Sequence, residues 1–103
     1  MVRPRGISYK REVDFEWDPA KAASNLAKHG VDFEDAIQVF ADPDRVERGD
    51  PRDRGEPRFQ AIGIADGIIL FVSYTIRDRT HRIISARRAN LRERASYPIS
   101  AGD

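Results

Sequence analysis

The run Ile68-Ile-Leu-Phe-Val72 is apolar at every position. Side chains of a strand alternate between two faces, so a strand with no polar face is covered on both sides and belongs in the middle of a sheet. Turn formers bound it. Ala65-Asp66-Gly67 reads as the hairpin turn from a strand over Arg58–Ile64 into one over Ile68–Thr75, and Arg77-Asp-Arg-Thr80 reads as the turn into a third strand over His81–Arg87. An antiparallel meander of this kind must be covered by the rest of the chain.

The rest supplies one more strand pattern and two helices ahead of the meander. Val13-Asp-Phe-Glu-Trp17 alternates apolar with acidic, the period of a half-buried strand with Val13, Phe15 and Trp17 inward. Asp18-Pro19 opens a helix, with aspartate as N-cap and proline at the first helical position. Ala22, Leu26 and His29 share one face of that helix, and Gly30 ends it in the left-handed conformation, with Leu26 and Val31 placed to meet as in a Schellman motif. Asp32 caps a second helix whose stripe is Phe33, Ala36, Ile37 and Phe40. Ala41-Asp-Pro-Asp44 stops it, Arg45–Arg48 fits a short edge strand, and residues 49–57 are a loop dense in turn formers. A short helix from about Asn90 to Tyr97 closes the pattern before Pro98. The expected fold is α+β: two N-terminal helices and a short C-terminal helix packed on a mainly antiparallel sheet of four to five strands. Residues 13–98 form one domain in this reading, between an arm over 1–12 and a tail over 99–103.

Composition excludes several classes. The chain has no cysteine, so it has neither disulfides nor a thiolate metal site. No window of about 20 apolar residues is present, and the basic start Met1–Gly6 is not a secretory signal, so the expectation is a cytoplasmic protein off the membrane. The net charge of +1 conceals a separation. Residues 12–56 hold thirteen acids against six bases, −7, whereas residues 77–94 hold seven arginines against two acids, +5. An arginine-rich half points to an anionic partner, since guanidinium suits bidentate contact with phosphate; a solvated charged face explains the composition equally.

Two constellations carry chemistry. Lys28-His29 can serve the carbonyl end of its helix and the sheet beneath, or contact an anionic ligand and move a proton. Arg58, Arg77, Arg79, Arg82, Arg87 and Arg88 are the second. Arg77, Arg79 and Arg82 are brought near each other by the meander, whereas Arg82 and Arg87 lie an odd number of residues apart and point to different faces unless a bulge intervenes. Such clusters bind nucleic-acid phosphates, offset charge on a phosphoryl group, or hold an acidic protein. No metal site is expected: the acids sit in turns and the two histidines, His29 and His81, lie on separate elements. No serine nucleophile elbow, P-loop or dinucleotide fingerprint is present, and no cofactor is expected.

Assembled in order, these motifs resemble the BrnT toxins of bacterial type II toxin–antitoxin systems. The likeness lies in "FEWDPAKAASNLAKHGVDF" (Phe15–Phe33), "GEPRFQAIG" (Gly55–Gly63), "YTIR" (Tyr74–Arg77) and "RIISAR" (Arg82–Arg87), ending with Arg92-Glu93-Arg94 and Tyr97. It implies a compact fold similar to the RelE ribonuclease toxins and an endoribonuclease that inhibits translation. It also implies a BrnA-like ribbon-helix-helix antitoxin that neutralises the toxin in an assembly of two toxins and two antitoxins, and that alone brings operator DNA to it. Carried over by motif, Arg58, Arg77, Arg87 and His29 are the expected catalytic residues. Lys28, Arg79, Arg82, His81 and Arg88 are the expected RNA contacts. The chemistry implied is metal-free attack of the RNA's own 2′-OH on the adjacent phosphate, in which positioned arginines stabilise the phosphorane. His29, His81, Lys28, Glu93 and Tyr74 are the candidates for the proton steps. The competing reading is a non-catalytic basic module that holds nucleic acid or an acidic protein.

Overall fold

The computed structural model describes residues 13–52 and 55–98, so the expected arm and tail lie outside the described residues. Five strands, β1 (Asp14–Glu16), β2 (Val46–Gly49), β3 (Phe59–Ala65), β4 (Ile68–Arg77) and β5 (Thr80–Arg88), form one sheet in the order β1-β5-β4-β3-β2. All neighbours are antiparallel except β1, which runs parallel to β5. The apolar run of β4 is the central strand, as its composition requires. Three helices, α1 (Pro19–His29), α2 (Phe33–Ala36) and α3 (Leu91–Ser96), complete the expected α+β fold, with α2 tightening into a 3-10 helix over Ile37–Ala41.

Local chemistry sets the helix ends. The Asp18 carboxylate accepts from the Ala20 N–H at 2.9 Å, Pro19 follows in the first turn, and Gly30 stops α1 with φ 72°. The Gly30 N–H reaches the Leu26 carbonyl at 2.8 Å, the single-bond form of a glycine stop. Asp32 caps α2 through the Glu34 N–H at 3.0 Å. Phe33, Ala36, Ile37, Val39 and Phe40 are buried, and with Phe15, Trp17, Val72, Tyr74, Ile83 and Ala86 they form the main core between the helices and one sheet face. A smaller core of Ile62, Phe71, Ala89 and Tyr97 lies on the other face, under α3.

The inward face of α1 differs from the one expected. Leu26 is 49% exposed and His29 is exposed, whereas Asn25 is the buried residue of the helix. Its side-chain nitrogen donates to the carbonyls of Val31 (3.0 Å) and Ala86 (2.8 Å), and its oxygen accepts from the Ala86 N–H at 3.1 Å. The β1–β5 register ends at Glu16–Arg82, and Ala86 lies four residues farther along β5. The Asn25 amide satisfies both backbone groups of Ala86 there, which is worth more than burying a leucine beside an orphaned donor and acceptor.

Candidate functional site

The arginines are arranged by one irregularity in β5. Ser73 pairs with Ser85, but Tyr74 pairs with Ile83, so β5 carries Ile84 as an extra residue. Along β4, Phe71, Ser73, Thr75 and Arg77 project from one face, and their partners are Arg87, Ser85, Arg82 and Thr80. The bulge therefore returns Arg82 and Arg87 to the same face. The register continues across the sheet: Gln60 and Ile62 of β3 lie beside Ser73 and Phe71, Arg48 of β2 lies beside Gln60, and Glu16 of β1 lies beside Arg82. Arg58 precedes β3, but its carbonyl accepts from the Asp50 N–H at 2.8 Å, which continues the β2–β3 ladder by one rung and gives Arg58 the parity of Gln60.

This face holds arginines with acids set among them. Glu56 accepts from Arg77 Nη2 at 2.9 and 3.2 Å and from Nε at 3.3 Å. Arg87 makes the tighter fork, with Nη1 and Nη2 donating to the two Glu93 oxygens at 2.8 and 2.9 Å while its guanidinium stacks 4.4 Å above the Phe71 ring. Glu16 lies 3.6 Å from Arg82. The Arg77 hydrogen bonds hold Glu56 below the usual carboxylate range. Burial pushes Glu93 up, but its bonds from Arg87 and the Asn90 N–H outweigh that and leave it below the usual range. Both acids are thus ionised near neutrality, and the same bonds push Arg77 and Arg87 further above the ordinary arginine value. Thr75 Oγ1 donates to the Pro57 carbonyl at 2.6 Å, fixing the backbone ahead of Arg58. The Arg58 Nε is buried with no partner, a donor that a bound anionic oxygen would satisfy.

The structure sorts the expected residues into two groups. Arg58, Arg77, Arg82 and Arg87 share the sheet face, and Arg79 sits beside them in the β4–β5 turn at φ 67°. His81 points the other way, packed into the core layer against Phe15, Phe40 and, stacked at 5.1 Å, Tyr74. Burial holds it below the ordinary histidine value, so it is neutral at pH 7. Arg88, next to Arg87, also faces the helix side, where it lines a cleft with Asp35 and Asp66. Lys28 and His29 sit at the end of α1 and border a small cavity with Lys21, Ser24, Ile84 and Ser85, at the open edge of β5 rather than among the arginines. Of the five proton candidates, Tyr74 is buried in the core layer, with its hydroxyl pushed up by that burial, and only Glu93 lies with the arginines.

Residues outside the sequence-derived set join the face. Arg48 donates from Nε to Gln60 Oε1 at 2.8 Å, and Ser73 and Ser85 lie between Gln60 and the open edge. Pairing of β2 with β3 is the only signal for Arg48, and no local pattern announces it. Among the described residues no three histidine, aspartate or glutamate side chains come together as metal ligands. The arrangement can bind a polyanion along the face and neutralise charge that develops on a phosphoryl group.

The family model for the ribonuclease toxin BrnT of type II toxin–antitoxin systems matches residues 17–93. The chain belongs to that family. Its class is therefore a ribonuclease toxin, with RNA as target and an antitoxin as partner. The matched segment contains every strand but β1 and all of the arginines placed on the face. It ends at Glu93, inside α3. No curated protein matches the chain. Among the described residues, no helix is long and apolar enough to cross a membrane.

Proposed function

We propose that this chain cleaves RNA on its arginine face, without a metal ion, by directing the 2′-OH of the substrate onto the adjacent phosphate. The observation that carries the reading is the common face of Arg58, Arg77, Arg82 and Arg87, two of them held in forked ion pairs. Arg87 keeps two of its five N–H donors after its bonds to Glu93 and the Arg88 carbonyl. Arg77 keeps Nη1. Guanidinium donors aimed at non-bridging oxygens stabilise the phosphorane and need no reorganisation during the reaction. Each acid on the face is already engaged by an arginine, an arrangement that favours fixed cationic charge over a carboxylate-bound cation.

The biological setting follows from the same reading: cleavage inhibits translation and growth in the cytoplasm, and a BrnA-like ribbon-helix-helix antitoxin neutralises the toxin in an assembly of two toxins and two antitoxins. The antitoxin alone contacts operator DNA. Arg79 and Arg82 extend the phosphate track, and Lys28 with His29 meets the RNA where it leaves the β5 edge.

The test is incubation of the antitoxin-free protein with end-labelled single-stranded RNA in EDTA. Fragments ending in 2′,3′-cyclic phosphate, absent with Arg87→Ala, support the reading. Cleavage that requires added Mg²⁺ overturns the metal-free route, and RNA bound but left intact, on translating ribosomes as well, makes the chain a binding module.

A further inference from the structure

We propose that Glu93 is a positioning residue for Arg87, and that α3 serves chiefly to present it; this rests on the ribonuclease reading above. α3 has six residues, none of them buried, and Leu91 at its start is 75% exposed. A helix this short does not persist by its own hydrogen bonds, so something outside it must hold it. Two anchors do so. At its far end Tyr97 enters the small core beside Ile62 and Phe71 and donates from its hydroxyl to Asp42 at 2.6 Å. At its near end Glu93 and Asn90 form a reciprocal capping box, with Glu93 N–H to Asn90 Oδ1 at 2.8 Å and Asn90 N–H to Glu93 Oε1 at 2.9 Å.

The same Glu93 carboxylate carries the fork to Arg87. One oxygen thus serves the helix cap and the arginine together, and the other serves the arginine alone. Phe71 fixes the guanidinium from below, the Arg88 carbonyl takes a second hydrogen of Nη1 at 3.2 Å, and Glu93 fixes its rotation in plane. The donors that remain, Nε–H and one hydrogen of Nη2, then have a single direction in which to meet a phosphate oxygen. An arginine without the carboxylate keeps its charge and loses that direction, and small misplacements of a catalytic group are costly.

The cap and the fork separate by mutation. Glu93→Gln retains an acceptor for the Asn90 N–H and removes the ion pair, whereas Asn90→Ala removes the cap and retains the ion pair. The expected result for Glu93→Gln is a kcat for RNA cleavage lowered about 10- to 100-fold, with KM and the thermal midpoint near wild type. For Asn90→Ala it is a lowered thermal midpoint with kcat kept within about threefold. The pH–rate profile of Glu93→Gln keeps the wild-type shape at lower amplitude. Wild-type kcat in Glu93→Gln overturns the proposal, as do losses in both variants that track stability. Disappearance of the acidic limb in Glu93→Gln overturns it too, by making Glu93 a proton acceptor. Cleavage by wild type and Arg87→Ala at equal rates refutes the placement of Arg87 itself, and the role of Glu93 with it.

Discussion

Arg82 and Arg87 stand five residues apart on β5 and project from the same face of the sheet. Ile84 is the reason: it has no partner of its own on β4, so the alternation of side chains skips one step between the two arginines. The basic face is therefore a product of a bulge. A regular β5 would have sent one of the two into the core layer, against the aromatic side chains that now surround His81.

Removal of either forked arginine tests the face directly. Arg77→Ala and Arg87→Ala each lower the rate of RNA cleavage about 10²- to 10³-fold, the scale of losing one donor to a developing oxyanion. The Arg77–Glu56 pair is exposed, so Arg77→Ala leaves the thermal midpoint unchanged, whereas Arg87→Ala lowers it because Phe71 loses its cover and Glu93 its partner. Cleavage rates and melting curves on the same preparations provide the comparison, and full activity in both variants would remove these residues from the site.

Asn25→Leu gives α1 the amphipathic pattern that the helix period favours, and it destabilises the protein. The carbonyls of Val31 and Ala86 and the Ala86 N–H lose their bonds to the side chain. The expected cost is about 2–3 kcal/mol, read as a lower urea midpoint. A gain in stability would mean that water satisfies those groups as well as the amide does.

Stability carries a pH dependence set by His81. Burial holds its folded value below the ordinary 6.5, opposed by the nearby Glu47 and reinforced by Arg45. The unfolded chain thus takes up the proton first, and stability falls as pH drops below about 6.5 while remaining complete above it. His81→Phe keeps the aromatic contacts with Phe15, Phe40 and Tyr74 and removes the proton. Unfolding free energies at pH 7 and pH 5 should differ less in the variant than in wild type, and an identical pH slope in both would place the titration elsewhere.

Gly63 is required by proximity rather than by backbone angle. A Cβ there would lie 2.9 Å from Val39 Cγ1, 3.1 Å from Arg45 Cβ and 3.2 Å from an Asp42 oxygen. Gly63→Ala should cost about 1–3 kcal/mol in thermal or urea unfolding, since the 3-10 helix cannot move off β3 without disturbing the core. An unchanged midpoint would show that this packing is slack.

Much of the frame is written locally. Asp18-Pro19, Gly30, Asp32 and the stripe Phe33, Ala36, Ile37 and Phe40 each state a cap, a stop or a buried face within a few residues, and the central strand declares itself by having no polar side. The site is less legible because its determinants are relations between strands. Ile84 is one β-branched residue among others, so nothing local marks it as the unpaired one. Asn25 obeys a partner 61 residues away, and Leu26 is turned outward as a result. His81 reads in sequence as one more anion contact of the basic segment, yet its strand parity turns it toward Phe15, Phe40 and Tyr74. Glu93 reads as an ordinary capping-box residue until the sheet brings Arg87 against it.

The Asn25 amide also bears on how this protein can meet other chains. Peptides commonly join a sheet by adding a strand to its margin, and they need a row of vacant donors and acceptors to do so. At Ala86 those vacancies are already filled from within, by a side chain that mimics one rung of a ladder and cannot extend it. A strand offered by a neighbour finds no template at that rung, and the opposite margin is the four-residue β2, with Glu47 and Arg48 along it. The fold thus denies strand addition at Ala86 to an antitoxin and to its own copies alike.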